Sequence, residues 1–495
     1  MNSWCSFLSK LPASKLALVE QRTKTRLTYG ELLSEVNRAA FFLQSKGVTI
    51  GDRVTLLATN RREHLTLFLA CAKLGAIFIP LNFRLSPSEL QDIVELVNPK
   101  ISFSDGTPCY EFVTETIDLN HFVLPQNELT EFPEIDLGLP LLMLFTSGTT
   151  GSPKGVMLHG QMLLANQEAT IKNWGLLPTD TTLVETPFFH TGGYNVLCLP
   201  LLKLGGTVIL AESFNPENVF KTFREENVSV YFGVPTMFQL LRDEMSSKPV
   251  YQEAFSSIRF FVSGGAAISV DLIHSFQKLG VMFKQGFGLT EVGPNCFLLS
   301  EEDALRKQGS VGLPMPHSEV LVLKEDGNLA KAFEAGELLI RGPHLCAGYY
   351  QQEERFQLSL FDGYFRTGDL VQFDEEGFFY VVGRIKDMYI SGGENVYPGE
   401  VENRLKKLAD ITDAVVVAVP DDKWGEVGFA FLQSRKSFSV AFLRELLGPH
   451  LSRYKHPHYL KVLTEFPLLP NGKTDRQSLK QMASSITSVK PESRV

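Results

Sequence analysis

The sequence predicts an α/β protein: a large N-terminal domain of helix-covered sheets with a β-rich subdomain, followed by a small, mobile α+β C-terminal lid. Three observations support this prediction. Short apolar strands alternate with helices at 28–105 and again at 181–241, a rhythm typical of parallel sheets. From about residue 310, short strands separated by glycine turns favour antiparallel pairing. After Gly383, helices and strands form a further unit of roughly 110 residues, which is the size of a small domain.

The first helix has the clearest signal. Thr28 is a capping residue, and Glu31 follows at the position that completes a capping box. The helix is expected to run to Ser45 and to end near Gly47. The other elements expected in the helix-covered sheets are strands at 53–57, 76–80, 207–210 and 228–232 and helices at 63–74 and 216–226.

The C-terminal third predicts smaller elements. Strands are expected at 320–323, 337–341, 370–373 and 378–382. In the lid we expect helices at 398–408 and 439–447, strands at 414–419 and 428–432, and a frayed tail at 487–495. The charged segment 383–387 is the predicted boundary, which divides the chain into domains 1–385 and 386–495 with a hinge near Lys386.

Composition excludes several classes of protein. The 495 residues carry a net charge of −9, which argues against general nucleic-acid binding because such proteins present basic patches to phosphate. The six cysteines are scattered without a CxxC pair, as expected in a reducing cytoplasm and unlike a zinc or disulfide framework. No apolar run is long enough for a transmembrane helix, and the start is not a signal peptide, which leaves open only a peripheral membrane contact. The 37 phenylalanines indicate either an aromatic core or a large apolar pocket.

Segment 141–155 is the most informative. An apolar strand leads into a loop with three glycines, five hydroxyl residues and one lysine, a composition suited to a polyphosphate. It is not a Walker A loop, because Pro153 precedes the lysine and Gly155 follows it. The alternative is a flexible surface loop. The candidate phosphate-binding residues are Thr146, Ser147, Gly148, Thr149, Thr150, Gly151 and Lys154.

This loop resembles the signature loop of the adenylate-forming superfamily, which includes acyl- and aryl-CoA synthetases, firefly luciferase and nonribosomal peptide adenylation domains. The resemblance extends from about residue 15 to 480 and is greatest to bacterial fatty-acyl-CoA and o-succinylbenzoate-CoA ligases. It implies that a carboxylic acid reacts with ATP and Mg²⁺ to give an acyl-adenylate, from which coenzyme A then displaces AMP. The matching segments, in order, are 146–155, 187–190, 263–266, 285–291, 367–369, 383–387, 391–395 and 470–473.

The resemblance also implies roles for individual residues around the nucleotide. Glu291 would bind Mg²⁺ with help from Thr146, and Thr290 would take part in catalysis. Phe287 would stack on adenine, and Asp369 would accept hydrogen bonds from the ribose, with Arg384 nearby. The other residues of the adenine site would be Gly264, Gly265, Ala266, Gln285, Gly286 and Gly288.

Four further roles fall in the lid. Lys473 would reach the carboxylate and the α-phosphate, and Lys386 would be the hinge. Gly392 and Gly393 would let the thiol arm of coenzyme A pass close to the backbone. Trp424 would line the same tunnel, although a single tryptophan is as readily a packing residue.

His190 would gate the acid pocket, or else be a core histidine. No acidic residue lies between Glu185 and Glu212, which argues against an α-amino acid because a buried ammonium needs a counter-charge. A medium- or long-chain fatty acid is the preferred substrate, with o-succinylbenzoate or another aryl acid as the alternative. A non-catalytic nucleotide-binding regulator and a luciferase-like oxygenase are the alternatives of another class. We expect a cytoplasmic monomer or homodimer, and a pocket wall formed by Tyr194, Asn195, Ser263, Gly264 and residues 233–236 and 292–294.

Overall fold

The computed structural model describes residues 4–106, 115–146, 153–265, 268, 270–408, 410–469 and 473–488. These residues include thirteen α-helices and several short 3₁₀ and π turns. The helices are α1 Tyr29–Ser45, α2 Glu63–Leu74, α3 Pro87–Val97, α4 Gly160–Asn173, α5 Cys198–Leu204, α6 Pro216–Glu225, α7 Pro235–Ser247, α8 Val270–Gln277, α9 Glu301–Arg306, α10 Glu353–Gln357, α11 Pro398–Leu405, α12 Val440–Leu447 and α13 Arg476–Ser488.

The described residues also contain 26 strands, arranged in four sheets. The strands are β1 Leu16–Glu20, β2 Thr25–Thr28, β3 Arg53–Leu57, β4 Ile77–Leu81, β5 Ile101–Ser104, β6 Thr116–Asp118, β7 Pro140–Thr146, β8 Lys154–His159, β9 Thr181–Val184, β10 Thr207–Leu210, β11 Val230–Gly233, β12 Phe260–Ser263, β13 Met282–Leu289, β14 Gly293–Leu299, β15 Leu313–Pro314, β16 Glu319–Leu323, β17 Gly336–Arg341, β18 Gly348–Tyr349, β19 Leu360–Phe361, β20 Tyr364–Phe373, β21 Phe379–Arg384, β22 Tyr389–Ser391, β23 Glu394–Val396, β24 Asp413–Asp421, β25 Gly425–Gln433 and β26 Tyr459–Leu463.

The chain forms two compact units. The first contains residues 1–320 and 340–365, and the second contains residues 321–339 and 366–495. The first unit holds a nine-stranded sheet in the order β15-β14-β13-β12-β11-β9-β10-β1-β2 and a seven-stranded sheet in the order β18-β8-β7-β4-β3-β5-β6. The predicted α/β class is confirmed, whereas the division at residues 385 and 386 with its hinge stays a prediction.

Both large sheets have parallel centres, as the βαβ rhythm predicts. β10, β9, β11, β12 and β13 pair in parallel in one sheet, and β5, β3, β4 and β7 do so in the other. The capping box at α1 is present, because Thr28 and Glu31 each accept a hydrogen bond from the other's backbone N–H. Strand β4 lies one residue later than predicted.

Aromatic packing accounts for many of the phenylalanines. Helices α6, α7 and α8 cover one face of the nine-stranded sheet. The apolar side chains between these helices and the sheet are buried from solvent. The rings of Phe238, Phe261 and Phe283 meet edge-on or tilted with centroids 4.8–5.9 Å apart, an arrangement that suits the ring quadrupole. Of the two alternatives for these residues, an aromatic core is therefore confirmed for this cluster.

The second unit is built on a sheet in the order β23-β22-β25-β24, with β26 paired in parallel to β25. Alternate side chains of β24 pack on opposite faces of the sheet, because side chains alternate in direction along a strand. Val416 packs in a cluster with α11 and α12, while Val415 and Val417 pack in a cluster with α13. Strand β26 and helix α13 are additions to the predicted lid.

A third sheet, in the order β16-β17-β20-β19 with β21 beside β20, contains the predicted antiparallel strands. The predicted frayed tail is wrong at its start, because residues 487 and 488 complete α13, and residues 489–495 lie outside the described residues. Within the part of the chain that the structure describes, no helix is long and apolar enough to cross a membrane.

Candidate active site

The strands that flank the phosphate-loop motif are in place. β7 ends at Thr146, which pairs directly with Lys154 at the start of antiparallel β8. This pairing holds the two ends of the loop side by side. The predicted phosphate-binding residues Ser147, Gly148, Thr149, Thr150 and Gly151 lie outside the described residues.

Two glycine motifs meet at the carboxyl ends of neighbouring parallel strands, where ligands bind in open α/β sheets. Ser263 of β12 is the register partner of Gln285 of β13. Beyond them, a Cβ added to Gly264 would lie 3.3 Å from the carbonyl oxygen of Gly286. Ser263 is buried, and its Oγ has no hydrogen-bond partner among the described residues. A ligand group could therefore satisfy it.

The glycines around Phe287 are required by close packing. A Cβ on Gly288 would stand 2.1 Å from the carbonyl oxygen of Gly293, and one on Gly286 would stand 3.2 Å from the indole of Trp174. Phe287 is half-buried and meets Phe297 edge-on at 5.5 Å. Gly265 has φ +81°, a conformation that favours glycine, and Ala266 lies outside the described residues.

Glu291 and Lys154 are joined by a tyrosine that the sequence analysis missed. The Lys154 ammonium donates to the hydroxyl of Tyr349 at 3.4 Å, and that hydroxyl donates to Oε1 of Glu291 at 3.1 Å. Tyr349 is 1% exposed. Burial and the neighbouring Glu291 carboxylate both raise the pKa of Tyr349, so its hydroxyl keeps its proton.

Backbone hydrogen bonds fix this arrangement. β18 pairs with β8, which sets Tyr349 opposite Val156, and the Tyr350 N–H donates to the Gly155 carbonyl at 2.8 Å. The Cys346 N–H donates to the carbonyl of Glu291, also at 2.8 Å. A single short segment, 346–350, therefore holds the phosphate-loop strand and the Glu291 turn. Thr290 lies in the same turn and is half-buried.

His190 follows β9 in a tight turn. Its N–H donates to the Pro187 carbonyl, and its ring lies edge-on to Phe189 at 4.5 Å. Close by, a Cβ on Gly193 would lie 2.6 Å from the Pro187 carbonyl oxygen, so the turn requires glycine there. The ring of His190 is half-buried.

The predicted pocket wall needs correction. Tyr194 has no exposed surface, packs against Phe68 and Phe188, and donates its hydroxyl proton to the His64 carbonyl. Asn195 is also buried, and its side-chain amide donates to Thr191. Tyr194 belongs to the core, because its ring is packed and its hydroxyl is hydrogen-bonded. Asn195 keeps its predicted place in the wall as a prediction, because its Oδ1 has no hydrogen-bond partner among the described residues. Val292 has no exposed surface either.

Phe232 lies beside the predicted wall residue Gly264, and the sequence analysis did not name it. Its half-buried ring lies 3.1 Å from the Cβ position of Gly192 and 3.5 Å from that of Gly264. Neither glycine carries a side chain that would contact these atoms at the edge of the ring. Val234 and Pro235, which were predicted for the wall, are also half-buried.

In the second unit, Asp369 and Arg384 form an ion pair. They are register partners on β20 and β21, and Arg384 Nε lies 2.5 Å from Asp369 Oδ1. The Asp369 N–H donates to Oγ1 of Thr367, whose hydroxyl donates to the Leu338 carbonyl. Asp369 is 2% exposed, whereas Arg384 is more open to solvent. The arrangement presents a fixed carboxylate with a cation beside it.

The residues predicted to line a thiol tunnel in the second unit are adjacent. The Gly392 N–H donates to the Trp424 carbonyl at 2.8 Å, and a Cβ on Gly392 would lie 2.6 Å from the indole. Gly392 and Gly393 have φ of +62° and +87°. Trp424 is 39% exposed, so its ring lies at the surface and is not part of the core.

The two predicted lid lysines are exposed. Lys386 lies in the 3₁₀ turn Ile385–Asp387. The Lys473 carbonyl accepts from the Leu469 N–H at 2.7 Å, and Leu468 bridges Thr474. Asp475 then begins α13, because its carboxylate accepts from the Ser478 N–H.

The acidic groups fit a metal that is held mainly by oxygen atoms of a nucleotide. Among the described residues, no three histidine, cysteine, aspartate or glutamate side chains converge on one point. Glu291, with Thr146 at the end of β7, could supply one or two oxygen ligands, which is the usual protein share for Mg²⁺ bound with a phosphate.

Two protein-family models and several curated relatives match this chain over most of its length. The AMP-binding enzyme model matches residues 8–350, and the model of the AMP-binding enzyme C-terminal domain matches residues 400–473. A feruloyl-CoA synthase of Amycolatopsis sp is 36% identical over 91% of this chain and 92% of its own length. The long-chain-fatty-acid–CoA ligase FadD13 of Mycobacterium tuberculosis is 31% identical over 95% of each chain.

A solved structure is similar over nearly the whole chain. O-succinylbenzoate coenzyme A synthetase (MenE) from Bacillus subtilis, in complex with ATP and magnesium ion, has a TM-score of 0.86 and 30% identity over 97% of this chain and 99% of its own. The three proteins are named for joining different acids to coenzyme A. The matched models cover most of the chain, which therefore belongs to the AMP-binding enzyme family.

Proposed function

We propose that the protein is an ATP-dependent acid–CoA ligase. In the first half-reaction the carboxylate of the acid attacks the α-phosphate of ATP, giving an acyl-adenylate and pyrophosphate. In the second, the thiol of coenzyme A attacks the acyl carbon and AMP leaves. The observation that carries the proposal is the link from Lys154 through Tyr349 to Glu291, which places a cation and a carboxylate around one hydroxyl beside the glycine motifs.

In this proposal the first unit binds the triphosphate and the adenine. Lys154 neutralises phosphate charge, while Glu291 and Thr146 hold Mg²⁺. Such groups speed phosphoryl and nucleotidyl transfer by stabilising charge that develops on the phosphate oxygens. Phe287 stacks on the adenine, in a position where flanking glycines already bring the backbone close.

The second unit supplies the remaining groups. Asp369 binds the ribose hydroxyls, and Arg384 orients that carboxylate through their ion pair. Lys473 contacts the acid carboxylate and the α-phosphate in the first half-reaction. In the second half-reaction, Gly392, Gly393 and Trp424 accommodate the thiol arm of coenzyme A.

For the acid, we propose a medium- or long-chain fatty acid. The ring of Phe232 with Val234 and Pro235 offers an apolar surface, and the segments around it carry no cationic side chain to pair with a second carboxylate. An aryl acid is the second candidate, favoured by the half-buried aromatic ring of Phe232 beside Gly192 and by the similarity to feruloyl-CoA synthase. A flat ring would stack there at little cost.

A pyrophosphate-release screen tests the proposal. We expect release that depends on ATP, Mg²⁺ and an acid, followed by CoA-dependent release of AMP, with fatty acids ahead of aryl and dicarboxylic acids. Glu291→Gln should abolish release, whereas the matched change Glu302→Gln at an exposed position should not. ATP binding without turnover on the whole acid panel would instead support a non-catalytic regulator.

Two expectations about the whole protein are part of the proposal. A cytoplasmic location is supported by Cys5, Cys71, Cys198, Cys296 and Cys346, which are buried free thiols in the structure. A monomer or homodimer remains the expected state, to be measured by light scattering.

A further inference from the structure

We propose that Tyr349 is a positioning residue for adenylation: its hydroxyl links the phosphate-loop lysine to the carboxylate that holds Mg²⁺, so that the metal and the triphosphate bind cooperatively. The inference rests on the proposed function, and it assigns a role to Tyr349, which belongs to none of the sequence motifs that matched the family. Tyr349 belongs to a two-residue strand whose backbone pairs with β8.

The hydroxyl of Tyr349 has a defined role in each contact. Lys154 can only donate, so the tyrosine oxygen accepts at that side and its single proton goes to Glu291. The ammonium also lies 4.7 Å from the centre of the tyrosine ring, which adds a cation–π attraction. A phenylalanine would keep the ring contact and lose both hydrogen bonds.

The ring itself is locked in place. Phe356 meets it edge-on at 5.3 Å, and Gly348 precedes it with φ +131°, where a Cβ would lie 3.4 Å from Phe356. With 1% of its surface exposed, Tyr349 has little room to rotate. The hydroxyl is therefore a fixed point against which the two flexible side chains, Lys154 and Glu291, are held.

Cooperative binding follows from this geometry. Ordering a lysine and a glutamate side chain costs conformational entropy, which both ligands would otherwise have to overcome separately. Because one hydroxyl holds both side chains, a metal that orders Glu291 also favours the position of Lys154, and a phosphate that engages Lys154 favours that of Glu291. Such mutual dependence is a reciprocal coupling between two ligands.

The test measures equilibrium binding of a non-hydrolysable ATP analogue to the full chain, with and without Mg²⁺. In the wild type, Mg²⁺ should tighten binding. In Tyr349→Phe the Mg²⁺-dependent gain should fall by about tenfold, the effect of losing a hydrogen bond to a charged group, and binding without Mg²⁺ should change much less. Tyr350→Phe, which removes the hydroxyl of the next residue, is the matched control.

Kinetics give a second readout. Tyr349→Phe should raise the KM for Mg·ATP and the half-saturating Mg²⁺ concentration about tenfold in pyrophosphate release, while CoA thioester formation from added acyl-adenylate keeps its rate. An equal Mg²⁺-dependent gain in the wild type and in Tyr349→Phe would overturn the inference. Absence of pyrophosphate release in the wild type would instead overturn the proposed function, because the binding experiment needs no turnover.

Discussion

Glu185 is a carboxylic acid enclosed at the end of β9. It is 4% exposed, and its Oε2 accepts the hydroxyl proton of Tyr231 at 2.8 Å. Burial raises the pKa of Glu185 to about 8, against the opposing effect of hydrogen bonds from Tyr231 and the backbone of Asn215. In the folded protein this side chain therefore stays protonated at neutral pH, whereas in the unfolded chain it ionises near pH 4.5.

The raised pKa of Glu185 makes the free energy of unfolding depend on pH. Between about pH 4.5 and 8 the folded state retains a proton that the unfolded state has released, so the stabilising contribution of Glu185 is complete below pH 4.5 and is lost as pH rises toward 8. We expect Glu185→Gln, which cannot ionise, to lack this loss. Relative to the wild type, its free energy of unfolding should rise by a few kcal/mol, to order of magnitude, between pH 5 and pH 8.5.

Thermal unfolding of both proteins across that pH range measures the effect. The exposed Glu302→Gln should follow the wild type at every pH. If the difference between Glu185→Gln and the wild type were the same at pH 5 and pH 8.5, the raised pKa of Glu185 would be wrong.

The proposed catalytic role of Lys473 can be tested without changing the stability of the folded protein. It is exposed in the turn that precedes α13, so Lys473→Ala should leave the melting temperature nearly unchanged. If it contacts the carboxylate and the α-phosphate, adenylate formation should fall by at least about a hundredfold, as expected when a charge that stabilises the transition state is removed.

Stopped-flow pyrophosphate release measures that step, and Lys480→Ala on α13 is the matched control for losing an exposed charge. Thioester formation from added acyl-adenylate should be spared. Unimpaired adenylate formation by Lys473→Ala with several acids would refute the proposed role.

Prediction of single residues from the sequence succeeded where the spacing within a motif has a structural cause. Asp369 and Arg384 were predicted to lie near each other, and the strand register explains why they do and why they form an ion pair. Tyr349 was missed because its partners are 58 and 195 residues away, and only the pairing of β18 with β8 brings them together. Tyr194 was misplaced for the opposite reason: its position next to the His190 motif says nothing about which face of the turn is buried.

At the scale of elements, Asp475 links the segment that carries Lys473 to helix α13. Its carboxylate accepts from the N–H of Ser478 at 3.0 Å and from the hydroxyl of Ser478 at 2.6 Å, which caps α13. These hydrogen bonds lower the pKa of Asp475. The cap fixes where the helix begins, and thereby where the preceding turn with Lys473 ends.

We expect Asp475→Ala to destabilise the protein by about 1 kcal/mol, the usual loss for a cap, whereas Asp475→Asn should retain most of the stability. Because the pKa of Asp475 is lower in the folded state than in the unfolded chain, the stabilisation is present at neutral pH and is lost as pH falls through the folded-state pKa. Chemical unfolding at pH 7 and at pH 3 measures both effects. An Asn variant as unstable as the Ala variant at pH 7 would contradict the capping role.

The elements that the sequence predicted well have strong local signals. α1 begins at its capping box, and α2 matches its predicted bounds because Gly75, in the left-handed region, ends it. β26 was missed because all five of its residues are half-buried and show no alternation. β13 contains Gly286 and Gly288, which are poor strand residues and are explained by close packing that only the structure reveals.

For the whole molecule, the two units have the internal packing that independent movement would need. The first unit has the aromatic cluster on its nine-stranded sheet, and the second has separate clusters on both faces of β24 and β25. Each therefore buries a core of its own, as domains do. The two units divide at residues 320/321, 339/340 and 365/366, so Lys386 lies inside the second unit. The rotation about Lys386 that the two half-reactions would require therefore stays a prediction.

A proline at the predicted hinge tests that rotation directly. Proline fixes φ near −65° and disfavours the helical conformation of the residue before it, so Lys386→Pro should restrict the backbone of the turn Ile385–Asp387. Lys386→Ala removes the same exposed side chain but keeps the backbone freedom, and it is the matched control. If a change of φ and ψ at this residue separates the two half-reactions, the proline variant should slow one of them at least about tenfold more than the other, whereas the alanine variant should affect both to a smaller and more similar extent. Single-turnover rates of adenylate formation and of thioester formation from added acyl-adenylate measure the two steps separately. Equal slowing of both steps by proline would place the hinge elsewhere in the chain, because a restriction at the true hinge cannot leave the balance between two conformations unchanged.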